Sequence, residues 1–244
     1  MVTALIFAGG TGTRMKNSDV PKQFLSVSGT PIIIKTMSFF SDHPMVDNVI
    51  VVCIESWIDH LKAQIEKFKI KKVIGIIPGG TTGFESIRKG LDRAGEMLKD
   101  EDVILICDGV RPILSEDLIS NCIKEAQEYG TAVPVTRSID SVLFSEDGIS
   151  CSKNIKRENI YITQAPQGYK LKKIYDAHKK AEEQGIQAIS SADLLLELGE
   201  EVHLIPGIRD NLKVTTREDL NAIRATAYYE HFKAFSKEEI ENGN

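Results

Sequence analysis

At 244 residues the chain is long enough for one large domain or two small ones, and its 42% hydrophobic and 27% charged residues exclude a disordered or collagen-like polymer. The formal net charge of -5 argues against a nucleic-acid or anionic-membrane binder acting through bulk charge, so any anion it holds must meet a local cationic site. The opening Met1-Val2-Thr3-Ala4 lacks a basic leader and no apolar run approaches the ~20 residues of a membrane span, so a cytoplasmic protein is expected, bound to neither membrane nor nucleic acid. In chain order, a strand-like run at 4–7 ends in glycines, and a helical period follows at 32–41. Strand and helix then alternate at 49–54, 57–68, 72–77, 83–98, 103–106, 116–129 and 132–135, and again at 171–184, 202–205 and 217–235. Several strand runs are continuously apolar, as strands buried on both faces of a parallel sheet are. The pattern predicts a single α/β domain, a doubly wound, mainly parallel, Rossmann-like sheet whose ligand site lies beyond the carboxyl ends of its strands.

Residues 136–163 break this rhythm. They are rich in Ser, Asp, Asn, Lys and Arg, with a "SEDGIS" turn between β-like flanks at 141–144 and 149–152, which predicts a β-hairpin arm suited to meeting a partner subunit. Cys53, Cys107, Cys122 and Cys151 show no C-x-x-C spacing and read as buried, reduced thiols; the five histidines show no ligand spacing, so zinc is not expected.

The chemistry gathers after the first strand, in "LIFAGGTGTRMKNSDVPKQF". Gly9, Gly10 and Gly12 can bring backbone N–H groups around phosphate oxygens with no Cβ in the way. A Walker loop is absent, because Thr13-Arg14 follows Gly12 where Lys-Ser/Thr is needed. A dinucleotide fingerprint also fails: Met15 stands where its third glycine belongs, and Glu55 comes too late to hold a ribose. A nucleoside triphosphate remains, with Arg14 and Lys22 facing the α-phosphate and the departing pyrophosphate and Pro21 setting the direction of the lysine; otherwise both cations are solvated loop residues. Two further strand ends bear on the choice. "GGTTGFESIRKGL" at 79–91 offers a second glycine turn with Glu85 and Ser86 able to bond a base or ribose, and "ICDGVRP" at 106–112 offers Asp108 for Mg²⁺ and Arg111 for a phosphate. Asp before Gly is also an ordinary turn former, and a lone arginine an ordinary surface ion pair.

Five motifs in order carry a likeness. They are A-G-G-x-G-x-R-M with P-K-Q-F, G-G-x-x-x-x-x-S-I-x-x-G-L, D-x-x-R-P, A-P-Q-x-Y at 165–169 and D-N-L-K-V-T at 210–215. Together they resemble the cytidylyltransferases that act on polyol phosphates, the family that includes the methylerythritol 4-phosphate and ribitol 5-phosphate enzymes, over residues 4–225. The resemblance implies a nucleotidyltransferase fold, CTP and a polyol phosphate as substrates, Mg²⁺ as cofactor, and a homodimer whose arm completes the neighbour's acceptor site. It implies catalytic roles for Arg14, Lys22 and Lys213, and CTP binding by Ala8, Gly9, Gly10, Gly12, Thr13, Gly80, Thr81, Ser86, Asp108 and Gly109, with Asp108 also beside the metal. Arg111, Arg137, Ser138, Arg157 and Ser190 fall on its acceptor side.

The chain departs from the family pattern mainly on that side. Arg137-Ser138 replaces Asp-Thr, a Thr-Asp pair is replaced around Ile189, Ser190 and Ser191, Gly83 stands for an arginine and Cys107 for a histidine. Arginine in place of an acid at 137 adds an anion-binding fork. An acceptor with an additional negative group, or a different polyol phosphate, is therefore expected, while "DGVRP" and "NIYITQAPQGY" lean toward the ribitol phosphate branch and leave the methylerythritol branch as the alternative.

Overall fold

A computed structural model describes residues 1–10 and 20–242, with side chains to residue 229. Strand β1 (Val2–Ala8) is followed, after the undescribed segment, by a 3-10 turn (Lys22–Phe24), a small hairpin of β2 (Ser26–Val27) and β3 (Thr30–Pro31), and helix α1 (Ile32–Asp42). Next come β4 (Asn48–Cys53), α2 (Ile58–Lys67), β5 (Val73–Pro78), α3 (Gly83–Gly95), β6 (Val103–Asp108), α4 (Glu116–Tyr129) and β7 (Thr131–Arg137). The last part holds β8 (Leu143–Phe144), β9 (Lys153–Asn154), β10 (Tyr161–Thr163), β11 (Gln167–Lys170), α5 (Leu171–Gln184), α6 (Ser191–Glu197), β12 (Leu204–Pro206) and α7 (Arg217–Asn242).

The main sheet runs β10-β7-β11-β6-β1-β4-β5, with β12 also paired to β7. Parallel pairing joins β6, β1, β4 and β5, and β12 lies parallel to β7. Alternate residues of the buried strands feed two cores. Ala4, Ile6, Val49, Val51 and Leu105 pack with α1, α2 and α4, whereas Leu5, Ile50, Val52, Ile104, Ile106 and Tyr169 pack with α3, α5 and α6. The apolar runs are continuous because both faces are covered, which gives the three-layer α/β/α arrangement. Among the described residues no helix is long and apolar enough to cross a membrane.

The sheet is mainly parallel, as expected, and four details differ. An unexpected strand, β11, runs antiparallel between β6 and β7, and β10 is antiparallel to β7. Strand β11 is only four residues long with polar ends; Gly168 admits it beneath α4, since a Cβ there would stand 2.7 Å from the carbonyl oxygen of Cys122. Helix α6 appears where no helix was expected, started by Ser190, whose Oγ accepts from the Asp193 N–H. In the arm the returning strand is Lys153–Asn154 rather than 149–152. Asp147 takes the N–H groups of Ile149 and Ser150 at 2.9 Å, so those amides serve the turn and the ladder begins later. Finally, Cys151 is exposed, while Cys53, Cys107 and Cys122 are buried; all four are free.

The packing of α5 on α3 contains a titratable group with no polar partner. His178 is fully buried, stacks on Phe84 at 4.5 Å and has both ring nitrogens without hydrogen bonds among the described residues. Burial, and then the nearby Arg88 charge, lower its pKa from the ordinary histidine value to about 3. The unfolded chain therefore binds a proton that the folded chain refuses between pH 6.5 and 3, and this contribution to stability is present above that window and lost as pH falls through it. His178→Phe should flatten the decline in urea-unfolding stability across this range by up to about 1.4 kcal/mol per pH unit. An unchanged slope would show that His178 is not the group responsible.

Candidate active site at the strand ends

Asp108 ends β6 on the face that carries Ile104 and Ile106, and it is buried. Its Oδ2 accepts from Arg111 Nε at 2.9 Å, and its Oδ1 lies 2.6 Å from Lys213 Nζ. Burial alone would raise the pKa of this carboxyl, but the charges of Arg111 and Lys213 outweigh burial and hold it below the ordinary carboxylate range. Arg111, itself buried, donates through Nη1 to the Asn211 backbone oxygen at 3.0 Å, and the buried Asn211 side chain donates to the Ala165 oxygen at 2.6 Å. The same loop is tied twice more. Val214 N donates to the Val110 oxygen, and Lys22 Nζ donates to the Val214 oxygen, each at 3.0 Å.

The two glycine turns meet beside this cluster. The buried Gln23 donates to the oxygens of Ala8 at 2.7 Å and Gly10 at 3.3 Å, fastening the exit of β1 to the Pro-Lys-Gln-Phe turn. A Cβ at Gly9 would stand 2.7 Å from Ser86 Oγ and 3.1 Å from the Gly79 Cα, so the contact demands bare backbone. Ser86 Oγ in turn accepts from Gly80 N and donates to the Thr82 oxygen. Glu85, which the sequence offered to a base or ribose, instead accepts from the N–H and the hydroxyl of Thr81, while Thr82 caps α3 through Glu85 N. These bonds make the second turn a fixed entrance to α3.

A cavity of about 330 Å³ opens between the start of α3 and the start of α6. Asp108, Arg111, Lys213 and Ser190 line it, with Phe7, Ile87 and Ile106 supplying its apolar wall. Gly109, whose N–H bonds the Phe7 oxygen, makes the turn between Asp108 and Arg111. Lys22 joins the cluster through Val214, whereas Gly80, Thr81 and Ser86 belong to the second glycine turn, packed against Gly9, and do not line the cavity. Gly12, Thr13 and Arg14 lie outside the described residues. Arg137, Ser138 and Arg157 are brought together elsewhere, around a separate open depression of about 600 Å³ that shares no lining residue with the first. Arg157 there donates to the Ile139 oxygen at 3.2 Å, and Ser138 to the Asp140 oxygen at 3.0 Å. Sequence reasoning missed Gln23, Asn211, Gln164 and Gln167, although each sits inside a motif it quoted.

Two glycine turns and a cation-flanked carboxylate at the strand ends define a phosphate-handling α/β protein. The family model described as IspD, 2-C-methyl-D-erythritol 4-phosphate cytidylyltransferase, matches residues 2–230; the chain belongs to this family and is, with it, a nucleotidyltransferase. It is 38% identical over 226 residues to the ribitol-5-phosphate cytidylyltransferase of Streptococcus agalactiae serotype III (strain NEM316), spanning 92% of this chain and 95% of that protein. It is 36% identical over 220 residues to the 2-C-methyl-D-erythritol 4-phosphate cytidylyltransferase of Clostridium botulinum (strain Eklund 17B / Type B), spanning 90% and 96%. Among solved structures, 4-diphosphocytidyl-2C-methyl-D-erythritol synthase from Anaerococcus prevotii DSM 20548 superposes with a TM-score of 0.80 at 26% identity, covering 92% of this chain and 95% of that one.

The buried pair has a measurable signature. Arg111→Met leaves the Asp108 charge with only the half-exposed Lys213 and should cost about 3 kcal/mol or more in urea unfolding. The double variant Asp108→Asn/Arg111→Met should lose less than the two single losses summed; additive losses would show that the two side chains are not coupled.

Proposed function

We propose that the protein transfers CMP from CTP to D-ribitol 5-phosphate. A phosphate oxygen of the acceptor attacks the α-phosphorus of CTP, a new P–O bond forms as the bond from the α-phosphorus to the bridging oxygen breaks, and pyrophosphate leaves. The observation that carries this reading is the meeting of Asp108, Arg111 and Lys213 on one cavity, with Lys22 tied to the same loop. Charge on the phosphoryl oxygens grows during transfer, and fixed cations at that point stabilise the transition state more than the bound substrate. Lys213 is 43% exposed and holds Asp108 by a single contact, so it can pass from the carboxylate to an arriving phosphate. The ribitol acceptor is supported by the identity with the streptococcal relative and by Val110 within Asp-Gly-Val-Arg-Pro. Methylerythritol 4-phosphate is the alternative acceptor, favoured by the family description and the clostridial relative.

Mg²⁺ belongs to the same reading, and Asp108 would hold it through Oδ1 once Lys213 passes from that oxygen to a phosphate. Among the described residues no group of three or more His, Cys, Asp or Glu side chains could hold a metal ion, so this carboxylate would share an ion whose remaining ligands are phosphate oxygens and water, an arrangement usual for magnesium. Such an ion supplies charge neutralisation on the triphosphate. Pyrophosphate release with CTP and Mg²⁺ across ribitol 5-phosphate, methylerythritol 4-phosphate, glycerol 3-phosphate and sugar 1-phosphates tests the reading. Turnover should be greatest with ribitol 5-phosphate, stop with EDTA, and fall roughly 10²-fold or more in Lys22→Ala. Turnover with another acceptor alone would refute the ribitol assignment, and release from none would refute the reaction.

The same reading includes a homodimer. Arg137, Ser138 and Arg157 lie away from their own chain's cavity, and the arm exposes Ile139, Leu143, Phe144 and Ile149, all more than two-fifths accessible. Apolar surface of this kind on a projecting hairpin suits a second copy of the chain, whose acceptor site the arginines would then complete. Lys22→Ala and Arg157→Ala, each nearly inactive alone, should recover activity when refolded together, because one mixed site is then intact. No recovery would place both residues in the site of a single chain.

A further inference from the structure

The two glutamines that flank Ala165-Pro166 differ in how their amides are used. Gln164 is bound at both ends, donating from Nε2 to the Ile208 oxygen at 2.8 Å and accepting at Oε1 from Ile208 N at 3.1 Å. Gln167 is bound at one end only. Its Oε1 accepts from the hydroxyl of the fully buried Tyr169 at 2.7 Å, and its Nε2 has no partner among the described residues. The fully enclosed polar atoms that lack partners belong to Thr3, Arg88, His178 and Ser191, and Gln167 Nε2 is not one of them. It therefore keeps a face on open space, and the space Gln167 lines is the cavity of Asp108, Arg111 and Lys213.

The register explains the placement. Gln167 sits opposite Ile106 on β6, two residues before Asp108, and it shares with Tyr169 the sheet face that also carries Ile104 and Ile106. A phenol held in the core thus fixes the rotation of the amide beside Phe7, Ile87 and Ile106. A donor that faces a cavity can bond a ligand oxygen that enters it, in exchange for the water displaced. An anionic oxygen is drawn to Arg111 and Lys213 in the cavity lining, so a neutral donor in the same lining suits an uncharged oxygen. We propose that Gln167 Nε2 donates a hydrogen bond to a hydroxyl of the acceptor polyol, and that Tyr169 is the positioning residue that orients it. The inference rests on the transfer reaction proposed above and names the group that reads the acceptor's hydroxyl pattern.

The test measures steady-state kinetics of wild type, Gln167→Met, Gln167→Glu and Tyr169→Phe with CTP and ribitol 5-phosphate, together with acceptor analogues deoxygenated at single carbons. Gln167→Met should raise the acceptor KM roughly 3- to 10-fold and leave the KM for CTP within twofold. Tyr169→Phe should give a smaller rise in acceptor KM with little change in kcat. One deoxy analogue should lose binding in wild type and lose nothing further in Gln167→Met, a pattern that a purely structural role for Gln167 does not produce. Gln167→Glu retains the acceptor for the Tyr169 hydroxyl and removes the donor, so its pattern across the deoxy analogues, in which the effect of the added charge cancels, supplies the comparison should the methionine variant not fold. An unchanged acceptor KM, an equal rise in the KM for CTP, or equal losses for every analogue in wild type and variant would overturn the proposal. An inactive wild type would instead refute the transfer reaction itself.

Discussion

The charge of Asp108 organises the end of the sheet. A carboxylate this deeply buried stays ionised only if cations compensate its lost hydration, and Arg111 and Lys213 do so from two different segments of chain. Arg111 arrives from the turn directly after β6, whereas Lys213 comes from the loop before α7 and is delivered by Asn211 and Val214. Satisfying one charge therefore fixes the separation of the β6 exit from a loop about a hundred residues later. Lys22 joins through the Val214 carbonyl, which brings the exit of β1 into the same network.

This arrangement resolves a tension in the composition. A chain with a net charge of -5 has no general attraction for polyphosphates, yet the described strand ends hold Lys22, Arg111 and Lys213 close to one loop. Low-dielectric walls from Phe7, Ile87 and Ile106 strengthen the field those cations exert inside the cavity. The acidic balance elsewhere then disfavours nonspecific anion binding without weakening the site.

Much of the fold was legible because its strands are continuous apolar runs and its helices carry a clear period; helices 116–129 and 171–184 have the bounds the period indicates. That Asp108 and Arg111 stand at one strand end was legible from their shared motif at the end of β6, whereas Lys213, in the loop before α7, was named only through the family likeness. Asn211 and Gln23 were not, since their work is to bond backbone oxygens of segments distant in sequence, which local spacing does not encode. Strand β11 escaped notice because pairing on both sides compensates for a short, polar sequence. Helix α6 had a signal that was passed over, Ser190 three residues before Asp193 and then a leucine run, but its single turn or two gives little periodicity. Ser86 and Glu85 were recognised by position, while the bonds that hold the second glycine turn decide what they touch.

The departures from the family pattern also have a physical explanation. Where the family motifs are kept, the contacts are made at main chain: Gly9 against Gly79, Gly109 against Phe7, and the Gln23 side chain against the oxygens of Ala8 and Gly10. Larger side chains there collide with main chain, so the sequence has little freedom. Several of the departures, by contrast, are cap or rim residues. Ser190 starts a short helix through its hydroxyl, Ile189 beside it is 98% exposed, Arg137 ends β7 and Arg157 lies in the 3-10 turn before β10. Substitution at such positions changes the surface offered to a ligand without disturbing a core. Gln167 stands between these two regimes. Its side chain reaches the cavity from a strand, and its orientation is set by a phenol at the centre of the sheet. A hydroxyl-reading contact mounted there is as rigid as the phosphate site, and the variable rim can be altered around it while the chemistry keeps its geometry.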